Sequence, residues 1–269
     1  MFNLSLYFKK SATYQLYRLF TRQVNEFFTT LGDITKKTFE VLGYILKLEI
    51  NRKAVIEQSA RFGVSSLPIT LSIVGMSAII VAMQVAGEMV KQGAGNFVGM
   101  LVTLLIVRED GVIMSGFAII SMIGSSFAAE IATMRVTEQI DAMKALTVDP
   151  VRYLFVPRVL AGIAMMPFVV ILASVVGVLG GAVASNVVGG LNYRAFFDSV
   201  WLGLSIRDIN ICLAKAVVFG GTIALISCTC GYKATGGAKG VGIATTRAVV
   251  WSFVAIVIWD LLFAVAYFF

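Results

Sequence analysis

No histidine occurs anywhere in the 269 residues. Its absence removes imidazole acid/base catalysis, serine–histidine nucleophiles and most zinc sites together. Cysteine is scarce, confined to Cys212, Cys228 and Cys230. Cys228 and Cys230 are spaced too tightly for ordinary zinc binding and sit in an apolar run, so they read as buried free thiols. Charge is scarce as well, at 14% of residues against 58% hydrophobic, where soluble domains carry about 25% and about 45–50%. Such a chain lacks the polar surface to sit in water. It also has no G-x-x-x-x-G-K-[ST] phosphate loop: the glycine-rich stretch 236–242 has neither the spacing nor the Lys-Ser/Thr pair, so it has no cradle of its own for ATP phosphates. No cleavable signal peptide is expected, because the first 61 residues hold ten Lys/Arg and five Asp/Glu with no clean apolar core.

What the chain does have is apolar length. A spanning helix needs about 20 mostly apolar residues to cross a hydrocarbon core of about 30 Å. Five stretches qualify, at 62–87, 96–129, 159–192, 209–232 and 248–269. The second is interrupted by Arg108-Glu109-Asp110, the fourth contains Lys215 and the fifth Asp260. The third is long enough to require tilt or overhang. The expected fold is all-α and integral to the membrane, with residues 1–61 as an N-terminal segment and 62–269 as the membrane domain.

Lys and Arg number 10, 1, 4, 2, 3 and 0 in the six segments outside the spans. That alternation places the N-terminus in the cytoplasm and the C-terminus on the far side. It also accounts for the net charge of +7 without any nucleic-acid partner. The N-terminal segment mixes Phe2, Phe8, Tyr14, Tyr17, Phe20, Phe27 and Phe28 with basic residues. This suits a helix lying in the membrane interface, with a plain cytoplasmic helix as the alternative. In the third span Gly177, Gly181, Ser185 and Gly189 line one face, a seam for close helix packing against a partner in the same chain or another.

Between the second and third spans, residues 128–158 read as a cytoplasmic helix. Ile131, Met134, Ile140, Met143 and Leu146 form an apolar stripe, and Glu130, Arg135, Glu138, Gln139, Asp141 and Lys144 cover the rest. Asp149-Pro150 is expected to end it. Such a helix suits docking into a groove of a cytosolic partner, or resting on the membrane surface. The intramembrane charges are costly, at about 2.5–3.5 kcal/mol for a central one, so they face a cavity or one another. At about 1.5 Å per residue, Lys215 lies about 9 Å in from the outer end of its span, Arg108 about 16 Å, and Asp260 about 12 Å from the outer face. Arg108, Glu109, Asp110, Lys215 and Asp260 therefore make a polar layer in the outer half of the bilayer. They either line a lipid chamber or pair internally, Lys215 with Asp260 and Arg108 with an acid on a neighbouring helix.

The stretch AAEIATMRVTEQIDAMKALTVDPVRYLFVPRVLAG from Ala128 resembles the signature of the MlaE/YrbE permease family, the membrane subunits of Mce-type lipid ABC transporters. Two further blocks agree: residues 210–219, NICLAKAVVF, and Gly231-Tyr232 followed by Gly236-Gly237-Ala238, Gly240-Val241-Gly242 and residues 244–250, ATTRAVV. The likeness covers about 60–269. It implies a phospholipid permease of the bacterial inner membrane, working as two copies with a separate ATPase subunit that holds ATP and Mg, and with a periplasmic Mce-domain partner. It makes 130–146 the coupling helix and puts Arg108, Glu109 and Lys215 on the lipid path. Two positions depart: the family's Arg-Glu-Leu-Gly-Pro is Arg108-Glu109-Asp110-Gly111-Val112 here, and Met122 stands at a family arginine. An ion-coupled transporter or channel using the same charges is the reading from another class.

Overall fold

The computed structural model describes residues 12–47 and 50–268. Among them there is no strand, and five helices are long and apolar enough to cross a membrane. An N-terminal helix, α1 (Ala12–Leu46), precedes span 1, which is α2 (Arg52–Lys91). Span 2 (Gly95–Val136) is built from α3 (Val98–Leu105), α4 (Gly111–Ile119) and α5 (Ser125–Val136). Two π-helical turns, Ile106–Asp110 and Ile120–Gly124, join these pieces. A short α6 (Gln139–Ala145) follows. Span 3 (Val151–Gly189) opens on a π turn, Val151–Phe155, and continues as α7 (Val156–Gly189). Helix α8 (Tyr193–Gly203) leads to span 4, α9 (Ile206–Tyr232), and span 5 is α10 (Gly237–Phe268).

The helices outrun the apolar stretches that mark them. Span 1 starts at Arg52 rather than near residue 62, because Asn51 caps it by accepting from the Ala54 N–H at 3.3 Å. Span 4 starts at a capping box in which Ser205 and Asp208 satisfy each other's backbone N–H groups. Span 3 ends at Gly190, whose φ of 64° is the left-handed stop that glycine accepts freely.

The small-residue seam of span 3 finds its partner in the same chain. A Cβ at Gly177 would sit 3.1 Å from the Ala78 Cβ and 3.2 Å from the Ile106 Cγ2. One at Gly181 would sit 3.0 Å from the Val102 Cγ1 and 3.5 Å from the Ala82 Cβ. Val74, Ala78, Ala82 and Ala86 of span 1 are all fully buried along this line. With no hydrophobic drive between helices in lipid, such close backbone approach is what holds spans 1 and 3 together. Spans 3 and 4 cross closer still. A Cβ on Gly162 would lie 2.4 Å from the Gly220 carbonyl oxygen, and one on Gly220 2.1 Å from that of Gly162. Spans 1 and 5 keep most of their surface open.

Helix α1 packs back on the body. Val41 is buried, Lys37 sits 5.3 Å over the Tyr232 ring, Asp33 pairs with Lys233, and the Tyr44 hydroxyl donates to Asp149. The interfacial reading of this segment rests on Phe2, Phe8, Tyr14, Tyr17, Phe20 and Phe27, which lie outside the residues whose side chains are described. Phe28 is exposed.

The stretch expected as one helix from 128 to 146 is two. It breaks at Glu138, which adopts φ 60°, so Glu130 and Arg135 belong to the end of span 2 and Gln139, Asp141 and Lys144 to α6. Asp149-Pro150 does not end this helix, which stops at Ala145 and turns through Thr147 at φ 59°. It starts span 3 instead: the Val151 N–H donates to the Asp149 Oδ1 at 2.8 Å, and proline's fixed φ suits a first helical position.

Candidate functional site

Of the five predicted intramembrane charges, four find an ion-pair partner among the described residues and one does not. Lys215, only 2% exposed, donates to the Asp260 Oδ1 at 2.8 Å, the Glu109 Oε2 at 3.0 Å and the Arg108 carbonyl at 3.0 Å. All three ammonium protons thus have acceptors, from two different spans. The Arg108 carbonyl belongs to the π turn Ile106–Asp110, a geometry frequent at functional sites. Arg108 itself leans the other way. Its Nε donates to the Asp208 Oδ1 at 2.8 Å and its guanidinium lies 4.8 Å from the centre of the Tyr267 ring.

Asp208 is the member that sequence reasoning missed, having been assigned to the loop before span 4. Its side chain is fully buried. It accepts from Arg108, from the Tyr267 hydroxyl at 3.1 Å, and from the Ser205 N–H and hydroxyl at 3.0 and 2.8 Å. The Ser-x-x-Asp pattern at 205–208 was the available signal, since it starts a helix and holds an acid at the first turn. Internal pairing, the alternative weighed above, therefore holds for both Lys215 and Arg108. The layer is not sealed, however: Glu109 keeps 42% and Arg108 31% of the side chain exposed.

Asp110 is the exception. Consecutive residues on a helix diverge by about 100°, and Asp110 turns to span 1, where the Ser77 hydroxyl donates to its Oδ1 at 2.6 Å. Its Oδ2 is buried with no partner. Among the described residues no cation pairs with it.

At the other end of the spans a second ion cluster forms. Glu130 accepts from Arg61 and from the buried Arg158, each at 3.0 Å. Glu130 is thus tied to spans 1 and 3 and is not a free group of the loop. The apolar stripe of the loop also faces inward: Ile131 and Ile140 are fully buried and Met134 and Met143 pack against the core. What α6 and its flanks present outward is Glu138, Gln139, Asp141 and Leu146, the last 74% exposed. Asp141 accepts from Arg135 at 2.6 Å and from Lys144 at 3.3 Å, and Lys144 reaches over Tyr232.

A family model described as permease MlaE matches residues 55–266. The chain belongs to the MlaE permease family. It is 42% identical over 221 residues to a probable ABC transporter permease protein of Synechocystis sp., covering 82% of this chain and 84% of that one. To a probable ABC transporter permease protein of Rickettsia typhi it is 37% identical over 233 residues, 87% and 90% of the two chains. It is also 37% identical over 224 residues to the protein TRIGALACTOSYLDIACYLGLYCEROL 1, chloroplastic, of Arabidopsis thaliana, 82% of this chain and 63% of that one. This MlaE-family chain is a multi-pass ABC transporter permease, and that class implies an ATPase partner.

Two expectations follow for the permease. Burying one unpaired carboxyl oxygen costs about 1–3 kcal/mol. Asp110→Leu, which restores the pattern that the family resemblance implies, should therefore raise the thermal unfolding temperature in detergent by a few degrees, about 2–4 °C per kcal/mol; a lower temperature would show that Asp110 is stabilising. The second concerns the loop. Hydrogen bonds from Arg135 and then Lys144 hold the Asp141 carboxyl below its usual 3.8. Hydrogen bonds with Tyr232 and then Asp141 hold the Lys144 ammonium above its usual 10.5. A lowered acid stabilises above its unfolded value and is lost only on falling through the folded one; a raised base stabilises below its unfolded value and is lost only on rising through the folded one. Both contributions are whole between 3.8 and 10.5. The thermal unfolding temperature, measured at about pH 6 and about pH 9, should therefore not change through these two groups.

Proposed function

We propose that the chain is the permease subunit of an ABC transporter that moves phospholipid, or a related lipid, between the inner membrane and the outer envelope of a bacterium. ATP and Mg are held by the separate ATPase subunit, and hydrolysis occurs there. The observation that carries the lipid reading is the half-open charge layer. Lys215 and Asp208 are closed off and locked, yet Glu109 and Arg108 remain accessible within apolar spans. A group paired from behind and open in front can hold a zwitterionic or anionic headgroup while the surrounding apolar walls take the chains. The name of the Arabidopsis relative, a galactolipid, supports the same class of cargo.

In this reading two permease copies face each other and enclose a chamber lined by Arg108, Glu109, Asp110, Lys215 and Asp260. A periplasmic Mce-domain protein receives or delivers the lipid on the outer side. The N-terminus lies in the cytoplasm, where α6 transmits ATPase closure to spans 2 and 3. The π turns at both of its flanking spans support this, because they are sites where a helix can readjust its register.

The test is affinity purification of the tagged chain in mild detergent, with mass spectrometry of bound proteins and lipids. The wild-type chain should bring down an ATPase and phospholipid. Glu138→Lys with Asp141→Lys reverses the exposed charge of α6 and should cut ATPase recovery by at least about tenfold, a loss of about 1.4 kcal/mol or more, with the lipid retained. If neither ATPase nor lipid accompanies the unaltered chain, the proposal fails.

A further inference from the structure

Between spans 2, 3 and 4, beneath α8, lies a groove of about 390 Å³, within the range of about 300–1,000 Å³ typical of small-molecule sites. Val107, Ile171, Val178, Phe197, Trp201 and Leu213 make up much of its wall, and none of the five charges of the polar layer lines it. Helix α8 roofs the outer end and is pinned there: the Met100 N–H donates to the Ser199 hydroxyl at 3.2 Å, and the Gly99 backbone abuts the Phe196 carbonyl. The open side is lateral. Its rim residues Ile171, Val175 and Leu179 are 43%, 52% and 53% exposed, on a span with no charge between 159 and 189. What lies beside such a rim is hydrocarbon, not water.

Two lining groups break the apolar pattern. Thr103 and Ser174 are 2% and 8% exposed, and the hydroxyl of each has no hydrogen-bond partner. Serine and threonine in helices usually return the hydroxyl to a carbonyl one turn back. Ser66, Ser185 and Thr229 do so in this chain. Both oxygens are sealed beneath the wall of the groove rather than open to it, so the surface the groove presents to an occupant is apolar.

We propose that the groove holds one acyl chain of a bilayer glycerolipid, taken up through its lateral opening onto an apolar lining. A cytosolic partner cannot reach this depth, and α8 closes the route from the outer solution. The site is distinct from the chamber proposed above and does not depend on it. Val107, Leu204 and Ile209 of the groove directly adjoin Arg108, Ser205 and Asp208 in the chain. The bound chain therefore packs behind the charged layer as a resident lipid.

The probe is a phosphatidylcholine carrying a diazirine at the end of one acyl chain, doped into phosphatidylcholine nanodiscs that contain the full-length permease. After irradiation, labelled peptides are mapped. Labelling at 171–179 and 209–213 should exceed that at the equally exposed apolar face of span 5 by about fivefold, a difference readily resolved as free energy of occupancy. Leu213→Trp fills the groove and should remove that excess while leaving span 5 unchanged. Val178→Phe, from the opposite wall, serves the same purpose if the first variant does not elute as a folded species. Labelling in proportion to exposure on every span would reduce the groove to ordinary annular contact and overturn the proposal. Labelling of span 5 with none in the groove would also overturn it, by showing that another protein chain covers the site. An excess that survives both variants does the same.

Discussion

Replacing Lys215 by methionine should unfold the permease at a temperature lower by roughly 6–20 °C, the equivalent of about 3–5 kcal/mol for removing one partner of a buried ion pair. Methionine matches the length of the lysine stem, so shape is not the cause. The loss arises because Glu109 and Asp260 keep their charges and lose the ammonium that both of them bind, at 3.0 and 2.8 Å. The Arg108 carbonyl loses its donor as well. If this account is right, neutralising the acids should repair stability: Lys215→Met with Glu109→Gln and Asp260→Asn should recover most of the lost temperature. It should not recover ATP-driven lipid transfer in proteoliposomes containing the ATPase, because the open charge of Glu109 has gone with it. A single substitution that leaves the unfolding temperature unchanged would show that the network carries no stability.

Gly220→Val should be equally severe by another route. The new Cβ would stand 2.1 Å from the Gly162 carbonyl oxygen and 2.7 Å from the Met166 Cβ. Overpacking usually costs about 1–3 kcal/mol because a side chain rotates away. Here the obstacle is backbone, so spans 3 and 4 must separate, and the cost should reach or exceed the upper end. Lys215 lies five residues from Gly220, about 7.5 Å along the same helix, so that separation would also move it off Glu109. Gly242→Ala is the control. It is a helical glycine with nothing within 4 Å of its Cβ position, and alanine there should be neutral or stabilise by up to about 1 kcal/mol. Recovery of folded protein by fluorescence size-exclusion would separate the two: little or none for Gly220→Val, full recovery for Gly242→Ala. Equal recovery would mean that the crossing is looser than its geometry.

Much of this architecture can be read in the chain because membrane helices announce themselves by composition. The five spans, their interrupting charges and the small-residue seam all follow from apolar length and residue size, which are local properties. Pairing is not local. That Gly177 meets Ala78, or that Lys215 meets acids 106 and 45 positions away, depends on how helices are arranged around one another. Asp208 escaped notice because it lies at the margin of an apolar run, where an acid reads as loop. Only its burial beside Tyr267 and Arg108 reveals it as part of the charged layer. The break at Glu138 was equally hidden, since a left-handed residue that is not glycine leaves no mark in a helical pattern. It decides which residues of 130–146 face outward.

The long reach of the Lys215 contacts has a consequence for how the protein is made. Arg108, Glu109 and Asp110 emerge from the ribosome about 105 residues before Lys215 and about 150 before Asp260. At roughly 5–20 residues per second, that is a wait of roughly 5–30 s. Until then span 2 carries three charges with no opposite charge to pair with on span 1, each unfavourable by about 2.5–3.5 kcal/mol at the bilayer centre. Partitioning of span 2 into lipid by itself is therefore costly at the time of its synthesis. The arrival of span 4, with Asp208 for Arg108 and Lys215 for Glu109, removes much of that cost, which favours insertion of these helices as a group over insertion one at a time.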